Sequence, residues 1–233
     1  MGEMVSYASN GGTSNGYLAT PAGASDEAKV PGVIVIQEWW GLVGHITSVA
    51  DRFAAAGYLA LAPDLYHGHT AGEPGEAQKL LMGLAMDQAA KDMAGAAAYL
   101  AGLPVCTGKI GTVGFCMGGS LALWAGTLSP HITAAVGYYP PIPWERMRPT
   151  WSNYGGKAAM IHTSEGDGGP DAPGIQQARQ LIEDAGGEVT VYGYPGTQHA
   201  FFNDDHIESY DAAAAELSWD RTLPFLRDRL SAS

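Results

Sequence analysis

The residues of this chain best placed to do covalent chemistry are a cysteine, an aspartate and a histidine: Cys116, Asp167 and His199. Cys116 sits in Gly114-Phe115-Cys116-Met117-Gly118-Gly119, after the apolar run 110–113 and before an Ala/Leu-rich stretch predicted to turn helical near Ser120. Strand, glycine-pinched turn and helix with a thiol at the apex make the pattern G-x-C-x-G, the cysteine counterpart of G-x-S-x-G. The glycines answer a steric need: the apex residue is strained, and side chains two positions either side would clash. A helix N-terminus behind the sulfur favours the thiolate, the nucleophilic form of cysteine. Taken alone, the same turn also fits a buried structural cysteine.

The partners come from two other strand ends. Asp167 follows the apolar run 158–162, and His199 follows the run 189–194. Nucleophile, acid and histidine in that chain order are the arrangement of an α/β-hydrolase triad. In such a triad His199 takes the thiol proton and returns a proton to the leaving group. Asp167 orients the imidazole, and Cys116 attacks an acyl carbon to give a thioester. Asp171, four residues on, competes for the acid role; Asp167 is preferred because it lies nearer the strand end. Stabilising the developing oxyanion needs backbone N–H groups. One is expected from Met117, the residue after the nucleophile, and one from the loop holding Glu38 and Trp39. Glu38 itself reads either as a solvated loop charge or as a carboxylate acting on Cys116.

These positions require a scaffold of alternating strands and helices. Pieces 4–7 and 16–20 read as a hairpin, and a loop to residue 31 leads into a strand at 33–36. That run is apolar throughout, as in a sheet covered on both faces. A helix is predicted over 45–56, a strand over 58–62, and one long helix or two over 75–100, with Gly83 weakening the middle. Strands at 132–138, 158–162 and 189–194 follow, with helices over 174–185 and 209–230, the last bent or broken at Pro224. The pattern predicts one α/β domain over 1–233, a mostly parallel, doubly wound sheet with helices on both faces. Ligands then bind beyond the carboxyl ends of the strands.

Composition excludes several classes. A formal charge of −12 with only 12 Lys+Arg argues against nucleic acid or an anionic membrane as partner. No apolar run approaches the ~20 residues that span a bilayer, and the N-terminus lacks a secretory pattern. Two cysteines, Cys106 and Cys116, give no disulfide framework and point to a reducing cytoplasm. Tyr66-His67-Gly68-His69 has two histidines but no acidic partner at ligand spacing, so no metal is expected. His206, in Asp204-Asp205-His206, reads as a solvated turn. No glycine-rich nucleotide motif occurs.

With these residues in place, the chain resembles the dienelactone hydrolases, or carboxymethylenebutenolidases, of the α/β-hydrolase fold. The likeness rests on Gln37-Glu38, Ala62-Pro63-Asp64-Leu65-Tyr66, the cysteine elbow, Asp167, and Pro195-Gly196-Thr197-Gln198-His199. It implies a Cys116–His199–Asp167 triad without metal or organic cofactor, and an oxyanion hole from the amides of Trp39 and Met117. It also implies that Glu38 pairs with the resting thiol and is displaced by substrate. Its members are typically small cytoplasmic enzymes, often monomeric, so a monomer or small homo-oligomer acting on a small ester or lactone is expected. The departures are Gly68 and Asn203, which stand where dienelactone-specialised enzymes look to hold the substrate carboxylate with two arginines; neither replaces a guanidinium. Arg146 or Arg148 would have to reach in from the Pro/Trp-rich stretch 140–154. Trp40, Tyr66, Tyr139, Trp144 and Phe201, with Trp39, suggest instead an aromatic pocket for neutral hydrophobic esters. A binding scaffold without turnover is the alternative from another class.

Overall fold

The computed structural model describes residues 2–142 and 145–231. Trp144 lies outside the described residues. Eight strands form one sheet in the order β1-β2-β4-β3-β5-β6-β7-β8. At its edge, β1 (Glu3–Ser9) and β2 (Gly12–Ala19) form the expected hairpin. The turn uses Asn10 and Gly11 at φ 39° and 95°, values that suit the right-handed twist of paired strands. β2 is also antiparallel to β4 (Leu59–Pro63). From β4 onward, through β3 (Val30–Ile36), β5 (Cys106–Phe115), β6 (Ile132–Tyr138), β7 (Ala158–Ser164) and β8 (Glu188–Tyr194), all pairings are parallel.

Side-chain alternation sorts the central strands between two cores. Val33, Val35, Val113 and Phe115 pack with α1 (Gly44–Ala55) and α6 (Ala212–Leu230) through Ile46, Phe53, Leu226 and Leu230. Ile34, Ile36 and Ile110 face the other way, against Met93 and Leu100 of α3 (Met86–Gly102) and Leu121 of α4 (Met117–Ala125). α5 (Pro173–Asp184) adds Ile175 and Ile182 on the same side as Leu123 of α4. Helices on both faces, with this strand order and an antiparallel β1-β2 edge on an otherwise parallel sheet, make this the α/β-hydrolase fold.

The stretch 75–100 takes the second of its two expected forms, a pair of helices, α2 (Pro74–Gly83) and α3, with α2 ending at the weak glycine. Two other elements differ from the sequence reading. α6 starts at Ala212 because Asp211 caps it, its carboxylate accepting from the Ala214 amide at 2.8 Å. It then runs unbroken through Pro224. α4 begins at Met117, directly behind the sulfur rather than near Ser120. Among the described residues, no helix is long and apolar enough to cross a membrane.

Candidate active site

The backbone of Cys116, at φ 54° and ψ −125°, lies where residues with a Cβ rarely go. The elbow is held there by contact with its neighbours. A Cβ at Gly114 would fall 1.9 Å from the Gly118 carbonyl oxygen, one at Gly118 2.3 Å from that of Gln37, and one at Gly119 2.6 Å from that of Tyr138. None of the three positions admits a side chain. The Cys116 amide donates to the Tyr138 carbonyl at 3.1 Å, and the Gly119 amide donates to the Cys116 carbonyl at 2.8 Å. The thiol is thereby wedged between the ends of β3 and β6. Tyr139 and Ala200, beside it, also have positive φ, 37° and 67°. Strain of this kind gathers at sites where function demands a fixed geometry.

His199 stands beyond β8, and its Nδ1 lies 2.8 Å from Asp167 Oδ2. Asp167 closes a short 3-10 turn after β7, where Ser164 caps it: the Ser164 hydroxyl donates to Oδ2 at 2.5 Å and accepts from the Asp167 amide at 3.2 Å. Asp171 ends the next turn, Gly169–Asp171, with its side chain exposed, so the imidazole is oriented by Asp167. Burial lowers the His199 pKa, but hydrogen bonds to Asp167 and to the Cys116 sulfur more than offset it and raise the value to about 10. For Asp167, burial works upward, and the bonds from His199 and Ser164 outweigh it, holding the carboxyl below its usual range. The pair is still reached by solvent, with side chains 39% and 35% exposed.

Glu38 is buried at the end of β3. One oxygen accepts from the Tyr139 hydroxyl at 3.3 Å and the other from Asn203 Nδ2 at 2.5 Å. Its carboxylate is therefore occupied by two neutral donors rather than by the thiol expected of it. Gln37, next to it, accepts from the Leu65 amide at 3.1 Å and ties this turn to the segment after β4. Among the described residues, the Trp39 and Met117 amides donate to no other backbone carbonyl. The Met117 amide is also the first of α4, where the helix offers it no partner.

Above the half-buried Cys116 opens a cavity of about 780 Å³. Trp39, Trp40, His199 and Ala200 line it, and residues 205–209 form its outer wall. Trp40 meets Trp39 edge-on at 5.1 Å and stacks on His206 at 5.0 Å, so His206 is part of the wall rather than a free turn. Tyr66, Tyr139 and Phe201, expected in the pocket, do not line this cavity. Tyr66 is buried beneath the elbow, its hydroxyl 3.4 Å from the Met117 sulfur. Tyr139 and Phe201 pack behind His199, the Tyr139 ring edge-on to the imidazole at 5.0 Å. The three rings are buried in the cores that lie under the strand ends.

The positions that lack arginine have other uses. The Gly68 amide donates to Asp64 at 2.6 Å, closing a turn. Arg146 donates to the carbonyls of Leu81 and Met82, at 3.1 and 3.0 Å, and of Leu84, so it closes the C-terminal end of α2. Arg148 is exposed and outside the lining. His67 pairs with buried Asp92 at 3.0 Å, and among the described residues no cluster of His, Cys, Asp and Glu is arranged to hold a metal. Sequence reasoning missed Asn203 as the donor to Glu38, Ser164 as the cap of Asp167, and Ile207 and Glu208 as pocket wall. Only the last two carried a signal, their closeness in sequence to His199.

Residues 14–230 match the dienelactone hydrolase family. The chain is 33% identical over 245 residues to protein usf of Aquifex pyrophilus, across 99% of this chain and 100% of that one. It is 28% identical over 244 residues to an Aquifex aeolicus protein provisionally named carboxymethylenebutenolidase, across 99% and 100%. A crystal structure from Klebsiella pneumoniae, provisionally named dienelactone hydrolase, superposes with a TM-score of 0.82 at 25% identity, covering 96% of this chain and 97% of that one.

Proposed function

Because the chain belongs to the dienelactone hydrolase family and is a hydrolase of esters or lactones, we propose that it works through a Cys116–His199–Asp167 triad and a thioester acyl-enzyme. The observation that carries this reading is the line of groups at the cavity floor: a strained thiol at a helix N-terminus, in hydrogen-bonding reach of an imidazole that Asp167 holds at 2.8 Å. Hydrogen bonds to Asp167 and to the sulfur raise the His199 pKa to about 10, so the imidazole is a strong acceptor for the thiol proton.

The thiolate of Cys116 attacks the acyl carbon, and the carbonyl oxygen takes the negative charge. The amides of Trp39 and Met117 stabilise that oxygen; losing one such donor typically costs ~10²–10³ in rate. As the intermediate collapses, the carbon–oxygen bond to the leaving group breaks and His199 gives its proton to the departing alkoxide. A water molecule then attacks the thioester, with the now neutral imidazole taking its proton. The carboxylic acid leaves, and the thiolate–imidazolium pair is restored. Glu38 acts on the site through Tyr139 and Asn203, fixing the turn that carries the Trp39 amide.

Cys116→Ala should abolish hydrolysis of short p-nitrophenyl esters, and mass spectrometry of the wild type under rapid quench should find the acyl group on the peptide containing Cys116. Full activity in the variant would overturn the assignment. Tight ligand binding by the wild type without any product would favour the non-catalytic scaffold.

A further inference from the structure

The cavity over Cys116 is distinguished by the sign of its charges. Its outer wall carries two exposed carboxylates, Asp205 and Glu208, and among the described lining residues there is no lysine or arginine. The candidate replacements are engaged elsewhere: Arg146 on the carbonyls that end α2, and Arg52 over the Phe202 and Trp219 rings, at 4.9 and 4.4 Å. Asn203, at the position of one missing arginine, is buried and spends its amide on Glu38. The apolar remainder of the site is two indoles set edge to face and the side chain of Ile207, which is 86% exposed at the mouth.

An entering carboxylate would meet two like charges at the mouth, and the one positively charged group of the described lining, His199, is already held by Asp167 at 2.8 Å and by the Cys116 sulfur. A quaternary or protonated ammonium group would be attracted by both carboxylates. It would also be compatible with the indole surfaces, whose π faces attract cations. A cleft with carboxylates of one sign at its mouth concentrates substrates of the opposite sign, here within a chain of net charge −12. The volume, about 780 Å³, leaves room for such a group beside the acyl carbon.

We propose that this cavity selects esters bearing a cationic group on the leaving alcohol or the acyl arm, and disfavours those bearing a carboxylate. The proposal rests on the hydrolytic reading of the same site and adds its substrate class. Neutral hydrophobic esters fall between the two.

The test uses acetates of three phenols with the same outline, substituted at the meta position by trimethylammonium, tert-butyl or carboxylate. Each kcat/KM is measured at pH 8 and divided by the rate of hydroxide-catalysed hydrolysis, which removes differences in leaving-group reactivity. The trimethylammonium ester should exceed the tert-butyl ester by about tenfold at low salt, and the carboxylate ester should fall below both. The spread should shrink as salt rises, because exposed charges are screened. In the double variant Asp205→Asn, Glu208→Gln the cation-to-neutral ratio should approach one; reading a ratio within each protein cancels any general loss of activity. Equal normalised rates in the wild type, or an order untouched by both salt and the double variant, would overturn the proposal and leave the hydrolase standing. A second readout does not depend on turnover: protection of Cys116 from alkylation by neutral iodoacetamide. Phenyltrimethylammonium should protect at concentrations about tenfold below benzoate. If no ester is turned over but that order of protection holds, the charge selection stands and the hydrolytic reading fails.

Discussion

His162 and His199 lie one strand apart and have opposite electrostatic fates. His162 lies within β7, the strand next to the sheet's edge, and is fully enclosed, with its ring nitrogens 2.8 Å from the Tyr194 hydroxyl and 3.0 Å from that of Thr222. Burial, helped by the positive charge of Arg221, lowers its pKa to about 3. His199 stands just past the end of β8, and burial acts on it in the same direction. There an aspartate and a thiol face the ring instead of two hydroxyls, and the pKa rises to about 10. Desolvation is common to both rings, so the charge of the partner decides the outcome. Inside the sheet a neutral histidine is a structural hydrogen-bonding group. At the strand ends, where loops bring charges together, the same side chain holds its proton far more tightly.

The largest expected effect tests that the partner's charge matters. Asp167→Asn keeps a hydrogen-bonding group but removes the carboxylate. By analogy with other triads kcat should fall by ~10⁴, with the protein still folded. A variant with wild-type kcat would mean that Asp167 does not orient His199, and the contrast between the two histidines would lose its cause.

The opposite outcome is expected at the buried ring. His162→Phe keeps the bulk but leaves the Tyr194 and Thr222 hydroxyls short of a partner. Thr222 still meets the Tyr138 hydroxyl at 2.7 Å, so the loss is partial. Stability in urea should drop by about 1–3 kcal/mol while kcat of the folded fraction changes little. A drop in kcat comparable to that of Asp167→Asn would place His162 in the chemistry and break the comparison.

The same contrast explains what the sequence could reveal. The frame was readable because β3 and β4 are apolar throughout and because a Cβ on any of the three glycines around Cys116 would fall within 2.6 Å of backbone. Such constraints act on the residue that carries them, so residue type reports them. The hydrogen-bonding environment does not work that way. Asn203 is 165 residues from the Glu38 it holds, and nothing in either residue's local sequence announces the pairing. Tyr139 was expected in the pocket because it is aromatic and near the site; it lies buried behind His199, edge-on to the imidazole at 5.0 Å. His162 drew no attention at all, because an apolar strand gives no sign of whether a histidine within it faces hydroxyls or carboxylates.

The smallest effect is a pair of opposed pH dependences. His162 has a folded pKa below the ordinary histidine value of 6.5, so between pH 6.5 and about 3 the unfolded chain binds a proton that the native ring refuses. Stability must fall as pH drops through that window, with no penalty above it. At pH 5.5 the loss from this one ring is about 1.5 kcal/mol. His199 has the opposite sign: its folded pKa lies above 6.5, so its contribution is complete below 6.5 and is lost as pH rises through about 10. The side chain is 39% exposed, so its energy is screened and only the direction is assigned. Urea titrations from pH 4 to 10 on the wild type and both variants separate the two. His162→Phe should flatten part of the acid side and leave the alkaline side alone, while Asp167→Asn should do the reverse. If His162→Phe left the acid-side slope unchanged, the buried ring would not be the neutral group that its hydroxyl partners require.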